Sequence, residues 1–499
     1  MDYSKFKFRR QFLISEVPCA SLEWNYCILD KFHIYVHPDL EFTIIKHEGE
    51  RKGAILLGDM IDPFQPEQSN FDLLQNLIKH SKSIDQAHSF LHSMGGRFVL
   101  VINLNDDTFV FHDPCGLRSV YYLQRNGINY LASQPKIFEH LFPLKTGNDY
   151  QTYHHSKFKN HPEPWLPSGY SLYEDVYHLV PNHYLQLSNL KQVRYWPVEK
   201  LGTNGLDDIA MEAAVLLKQL MHAGNARFDL ALPLTSGWDS RLLLAACRDI
   251  TRDIYFYTLL HDKTKISWSD IRIPKKLLHA LGYDHHLINC LNEVDQEFSK
   301  AYKSSYMAHR CWEKMASGMI SAYPEGKVCV KGNCSEICRC FFRNIDQYPE
   351  SISTENLLQT RKGWKDLPFV YDQLAEWHKQ STDIAKDMGI DILDLFYWEH
   401  RMGSWQAQFQ LEFDSIHECY TPYNHRGLIE LMLSVSPKFR GPPYLLYQKM
   451  MEILWPEVLG QPINPPSTAK AKVRSGLREA LYILGVGNIA KKMYRAVYP

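Results

Sequence analysis

Between Leu230 and Ile250 the sequence reads LALPLTSGWDSRLLLAACRDI: an apolar run of strand length, then Thr-Ser-Gly-Trp-Asp-Ser-Arg, then a helical pattern. A strand that ends in a glycine-containing, hydroxyl-rich turn and passes at once into a helix is a generic anion site, because backbone N–H groups and the positive end of the helix dipole converge there. The residue types narrow the anion to phosphate. Leu234 closes the apolar run, and Thr235, Ser236 and Ser240 carry hydroxyl donors. Gly237 lets the backbone approach closely, and Asp239 supplies a carboxylate able to hold Mg²⁺ beside phosphates. Arg241 follows and adds positive charge to the expected phosphate site. No G-x-x-x-x-G-K-[ST] pattern is present, so the phosphate is expected to be held without the Walker arrangement.

A second dense stretch, CVKGNCSEICRC, brings Cys329, Cys334, Cys338 and Cys340 close together. It lacks the C-x-x-C knuckles that gather thiolates around a tetrahedral zinc, and reads as ordinary buried thiols. The total of 11 cysteines is odd and scattered, which argues for free thiols in a reducing, cytoplasmic compartment.

The elements that must position the turn change character along the chain. From Lys31 to Trp196 apolar runs are broken by Asn-Asp, Asp-Pro, Cys-Gly and Asn-Gly, the punctuation of antiparallel strands. From Gly205 onward helical patterns dominate, and the short apolar runs DLALPLTS, DIYFYTLL and KVCVKG lie between the first of them. Strands alternating with helices predict a doubly wound α/β sheet with extra helices toward the carboxyl end, and a boundary near residues 196–206. A chain of 499 residues predicts about two to four domains, so core size is not limiting. A net charge of -1 gives no reason to expect nucleic acid as a partner, and no apolar window reaches the length of a signal peptide or a membrane span.

The turn resembles the pyrophosphate loop, Ser-Gly-Gly-x-Asp-Ser, of the asparagine synthetase and β-lactam synthetase family of AMP-forming ligases. Leu234, Gly237, Asp239 and Ser240 match; Thr235 replaces a serine and Ser236 the first glycine. YFYTLL is similar to the family's second strand, which implies that Thr258 lines an adenine pocket, and WSDIRIPKKLLHALGYDHH resembles the segment after it. VCVKGNCSEICRCFF falls where the family has Gly-x-Gly-Ala-Asp. Gly332 keeps the first glycine, Cys334 replaces the second, and Glu336 stands at the acidic position that helps hold Mg²⁺. The resemblance further implies that Glu399 assists an attacking amine, the competing reading being an ion pair with a nearby arginine. Arg401 and Arg426 are read as packing or pairing residues. Lys470 and Lys472 are the candidates for the family's carboxyl-terminal catalytic lysine.

GRFVLVINLNDDTFVFHDPCGLRSVYYL resembles the family's amino-terminal glutaminase-like domain. The implied fold is an N-terminal Ntn-hydrolase-like, class II glutamine amidotransferase-like β-rich domain over 1–200, and a C-terminal doubly wound PP-loop domain of the adenine nucleotide α-hydrolase type over 201–499. Glutamine-using members expose a cysteine after methionine removal; residue 2 here is Asp, and Ser4, Cys19 and Cys27 are internal, so glutamine hydrolysis is not expected. The implied activity is adenylation of a small-molecule carboxylate by ATP and Mg²⁺ with release of pyrophosphate, then transfer to an amine. Asparagine synthesis from ammonia or from a partner glutaminase, and a decayed nucleotide-binding scaffold, are the alternatives. A homodimer is compatible with the sequence. The basic terminal stretch KAKVRSGLREALYILGVGNIAKKMYRAVYP is read as a helix packed on the ligase domain in preference to one lying on a lipid surface.

Overall fold

The turns that the sequence marks with Asn-Gly and Asn-Asp close antiparallel hairpins in the computed structural model, which describes residues 3–19, 22–46, 53–262, 268–306, 312–343 and 351–465. Twelve strands come first: β1 (Phe12–Ser15), β2 (Asn25–Leu29), β3 (Phe32–Val36), β4 (Phe42–Lys46), β5 (Gly53–Ile61), β6 (Gly95–Leu104), β7 (Asp107–His112), β8 (Tyr121–Arg125), β9 (Ile128–Ala132), β10 (Val176–His178), β11 (His183–Gln186) and β12 (Lys191–Arg194). They form two six-stranded sheets, ordered β10-β8-β9-β1-β3-β2 and β12-β11-β7-β6-β5-β4, with antiparallel neighbours. The β8–β9 connection holds Asn126 at φ +52° and Gly127 at φ +77°, the left-handed pair that a two-residue hairpin turn requires.

Alternating side chains give each sheet two apolar faces. Phe12, Ile14, Ile34, Val99, Val101 and Leu131 fill the space between the sheets. The outer face of the second sheet, with Leu56, Phe98 and Leu100, is covered by the helices Asn70–His80 and Ile84–His92. The outer face of the first, with Leu13 and Tyr130, is covered by the helix Pro135–Leu141. The layers therefore run helix, sheet, sheet, helix.

The remaining five strands, β13 (Leu230–Pro233), β14 (Tyr255–Leu260), β15 (His286–Asn289), β16 (Val328–Val330) and β17 (Cys419–Tyr420), make one parallel sheet ordered β15-β14-β13-β16-β17. Helices cover both faces, which is why β13 is an almost continuous apolar run. Leu230 and Leu232 pack in the same cluster as Leu217, Leu243 and Met450 from the helices Leu206–Arg227, Trp238–Ala246 and Leu445–Leu454. On the other face Ala231 and Tyr257 meet Trp312 and Phe413. The chain enters at the central strand, builds outward through β14 and β15, then returns to the opposite side of β13. The order reverses between β13 and β16, the place where ligands bind in sheets of this kind, beside the carboxyl ends of the strands.

Charged contacts tie the antiparallel sheets to the parallel one. Arg97 donates to both oxygens of Asp414 at 2.5 and 2.9 Å and to Glu418 at 2.9 Å, and Arg118 donates to Glu418 at 3.0 Å. The Asp-Pro-Cys-Gly turn docks through Asp113, whose carboxylate accepts from Asn424 Nδ2 at 2.7 Å. Among the described residues no helix is long and apolar enough to cross a membrane. Asp2, Lys470, Lys472 and the basic terminal stretch lie outside the described residues.

Candidate functional site

The hydroxyl-rich turn lies at the carboxyl end of β13, at that reversal of strand order. Leu234 continues the strand, its N–H donating to Tyr257 O at 2.8 Å. Thr258, on β14, donates its hydroxyl to Leu234 O at 2.6 Å and lies 2.8 Å from His285 Nε2, so it braces the loop from beneath. The turn is closed by its own side chains. Thr235 N–H donates to Ser240 Oγ at 3.2 Å, and Gly237 N–H donates to Thr235 Oγ1 at 3.1 Å. Ser236 is buried; its N–H and its hydroxyl both donate to Asp270 Oδ1, at 3.1 and 2.6 Å. Gly237 caps the helix Trp238–Ala246 and puts Asp239 in its first turn, where the helix dipole favours negative charge.

The loop after β16 lies against the turn. A Cβ on Gly332 would lie 3.0 Å from Asp239 Cβ and 3.4 Å from Ser240 N, so glycine is what allows the two loops to touch. Cys334 has φ +74°, a backbone region costly for residues with a side chain. Ser335 donates its hydroxyl to Asp239 Oδ1. Arg339 completes the cluster: its Nη2 is 3.0 Å from Asp239 Oδ2 and 3.8 Å from Glu336 Oε1, and its guanidinium lies over the rings of Tyr444 and Tyr447 at 5.7 and 5.9 Å.

The electrostatics are those of two carboxylates sharing one cation. Burial pushes the Glu336 carboxyl up to about 7, the Asp239 charge adds to this, and Arg339 opposes it. Burial also raises Asp239, against the pull of Arg339 and Ser335. Burial disfavours the Arg339 charge, but Asp239 and Glu336 more than offset that and hold the guanidinium above its ordinary value. Glu336 Oε2 and Arg339 Nε are buried without a hydrogen-bond partner. Two hard carboxylate oxygens, one of them unused, with the close backbone approach at Gly332, fit a Mg²⁺ ion. Among the described residues no three His, Cys, Asp or Glu side chains converge on a metal position, so further ligands would be phosphate oxygens and water.

Two expected site residues have their partners elsewhere. Arg241 does not serve the phosphate turn: its buried guanidinium donates to the carbonyls of Val458, Gln461 and Pro462 at 2.8, 2.9 and 3.3 Å, and so clamps the chain that runs past the turn. That chain reaches the turn itself, where Asn464 N–H donates to Ser236 O at 2.9 Å. Glu399 is not a free base. It is fully buried on the π-helical stretch Tyr397–Gln406 and accepts from both Nη atoms of Arg194, from Trp377 Nε1 at 2.7 Å and from Asn182 Nδ2 at 3.1 Å. Although burial pushes its carboxyl up, the Arg194 charge and these hydrogen bonds bring it down to about 2. The ion-pair reading of Glu399 is the one its geometry supports. Arg401 and Arg426 pair and pack as expected: Arg401 contacts Glu163 at 3.2 Å and stacks on Trp405, and Arg426 donates to Asn182 and Tyr195.

Sequence reasoning missed Arg339 and Asp270. Arg339 stands three residues beyond Glu336, a spacing that pairs charges on a helical turn. Asp270 is 34 residues from Ser236, and no local pattern joins them.

No protein-family model and no curated protein matches the chain. Among solved structures it is similar to the allosteric regulatory enzyme of purine biosynthesis, at 13% identity over 46% of this chain and 55% of that one, with a TM-score of 0.24. It is also similar to glutamine phosphoribosylpyrophosphate amidotransferase from B. subtilis, complexed with ADP and GMP, at 12% identity over 60% of this chain and 65% of that one, with a TM-score of 0.22. The chain thus spans under two thirds of either structure, and likeness this weak leaves the functional reading to the site.

Proposed function

We propose that the protein is an ATP- and Mg²⁺-dependent amide ligase of the asparagine synthetase and β-lactam synthetase type. It would adenylate a small-molecule carboxylate, release pyrophosphate and pass the acyl group to an amine. The observation that supports this most is the meeting of two loops at the reversal point of a parallel sheet. A hydroxyl-rich, helix-capping turn there touches a glycine loop that brings Glu336 within reach of the same cation as Asp239. Residues 1–200 are proposed as a glutaminase-like unit of the Ntn type, a reading supported by the helix, sheet, sheet, helix layering, and residues 201–499 as the ligase unit.

Asp239 and Glu336 would hold Mg²⁺, which neutralises charge on departing pyrophosphate. The turn Thr235–Ser240 would orient the phosphates through its N–H and hydroxyl groups, with Gly237 at the helix N-terminus. Thr258 fixes the turn's height above the sheet by holding Leu234 O. Glu399 takes no part in moving a proton, because all its acceptor capacity goes to Arg194, Trp377 and Asn182. The proton of the attacking amine must therefore go to another group, and Lys470 and Lys472 stay candidates for the acyl centre.

Pyrophosphate–ATP exchange tests adenylation without the amine. With L-aspartate or a uronic acid as the carboxylate, exchange above background that is lost in Asp239→Ala is the expected result. Mg·ATP binding with no exchange for any carboxylate would favour the second reading, a nucleotide-binding subunit without ligase activity. The locked state of Glu399 is the observation that gives that reading its weight.

A further inference from the structure

The nucleotide site proposed above is already complemented by charges of the chain itself. Each backbone N–H of the turn from Thr235 to Gly237 has a side-chain acceptor, and the one on Ser236 is a carboxylate. Asp270 takes both the N–H and the hydroxyl of Ser236, two donors that a phosphate oxygen would use. On the other side of Asp239, Arg339 sits between the two carboxylates suited to a divalent cation.

The Arg339 cluster is not saturated. Glu336 Oε2 and Arg339 Nε are left without partners in the same cluster. An unused donor and an unused acceptor in the same cluster mark groups that gain when the right ligand arrives.

On that reading of the site, we infer that it is capped by its own side chains: Arg339 stands where Mg²⁺ binds, Asp270 stands where a phosphate oxygen binds, and only metal and nucleotide together displace both. Mg²⁺ alone must expel a guanidinium held by two carboxylates and two tyrosine rings. Metal-free ATP must bring four negative charges against Asp270 and Asp239. When both arrive, the metal takes over Asp239 and Glu336, its charge screens Asp270, and the freed Arg339 finds phosphate oxygens. The two ligands are thus positively coupled, and the coupling is reciprocal. Arg339 and Asp270 are positioning residues that set ligand order; no bond-making step is assigned to them.

Two binding measurements on the full-length chain test this without reference to turnover. Mn²⁺ binding is read by electron paramagnetic resonance in the absence of nucleotide, and ATP binding by calorimetry in EDTA. The wild type should bind Mn²⁺ about tenfold more weakly without ATP than with it, and Arg339→Met should recover about that tenfold with no nucleotide present. Asp270→Asn should bind metal-free ATP about tenfold more tightly than wild type, while Asp253→Asn, the same charge change just before the amino end of β14, should leave it unchanged. Arg339→Met/Glu336→Gln keeps the local charge balance, guards against misfolding, and should show no gain of Mn²⁺ because a ligand is missing.

Equal Mn²⁺ affinity in wild type and Arg339→Met overturns the cation cap. Equal effects of Asp270→Asn and Asp253→Asn overturn the anion cap, and a Mn²⁺ gain in the double variant overturns the place of Glu336. Failure of Mn·ATP to bind wild type at all would instead defeat the ligase proposal, and the nucleotide-free Mn²⁺ result would still decide the cation cap.

Discussion

Glu399 and Glu336 are both glutamates withdrawn from water beside an arginine, and they are opposite in character. Glu399 meets Arg194, Trp377 and Asn182 with both oxygens used, and its carboxyl is held near 2. Glu336 reaches Arg339 at 3.8 Å with one oxygen, leaves the other unpartnered beside a second carboxylate, and is pushed up to about 7. The first joins Tyr397–Gln406 to β12 and the strand-rich half. The second stands in the loop after β16, at the reversal point of the parallel sheet. A buried carboxylate whose lone pairs are all used is a strut, and one that is underused keeps acceptor capacity that a ligand could take.

The largest effect that would break this contrast concerns the strut. Glu399→Ala leaves Arg194 as an uncompensated charge in a largely buried setting and should lower unfolding free energy by about 3–5 kcal/mol. Chemical denaturation reads this directly, and folded variant should still bind Mg·ATP. A Glu399→Ala protein of native stability with lost nucleotide binding would reverse the roles assigned to the two glutamates.

Gly332→Ala is expected to act on the other side of the contrast. Its methyl would press on Asp239 Cβ at 3.0 Å, an overpacking that should cost about 1–3 kcal/mol and shift the Asp239 carboxylate. Calorimetry should show weaker Mg·ATP binding, whereas Gly202→Ala, where a methyl meets only ordinary van der Waals neighbours, should not.

The pH dependence of stability should separate the two glutamates by sign. Glu399 titrates lower in the folded chain than its ordinary 4.5, so its stabilising pair is complete above 4.5 and is lost as pH falls from there toward 2. Glu336 titrates higher, near 7, so the folded chain holds a proton that the unfolded chain has released, and stability falls as pH rises from 4.5 toward 7. Urea midpoints measured in EDTA should lose the acid-side slope in Glu399→Gln and the slope between 4.5 and 7 in Glu336→Gln. The same window flattening in both variants would remove the distinction.

Legibility in the sequence followed distance along the chain. The turn Leu234–Ser240 was readable because strand, glycine, hydroxyls and helix lie in one local pattern, and the hairpins were readable from residues such as Asn126-Gly127 for the same reason. Gly332 and Glu336 were found through resemblance to a family loop, and the structure brings Gly332 against Asp239. Glu399 was weighed between two roles because its partner Arg194 is 205 residues away, in a strand that no helix periodicity involves. Arg241 was misread because a charge next to an anion turn looks functional until the chain 458–462 is seen to occupy it. The Arg97–Asp414 link that joins the halves spans 317 residues and leaves no local trace.

Binding of Mg·ATP beside Asp239 is the property on which the proposed function stands. Titration of Mg·ATP into the full-length chain by calorimetry, beside Asp239→Ala of matched melting temperature, tests it most directly. The account predicts a saturable one-site isotherm for the wild type that disappears in Asp239→Ala. Binding of equal strength by both proteins would contradict it.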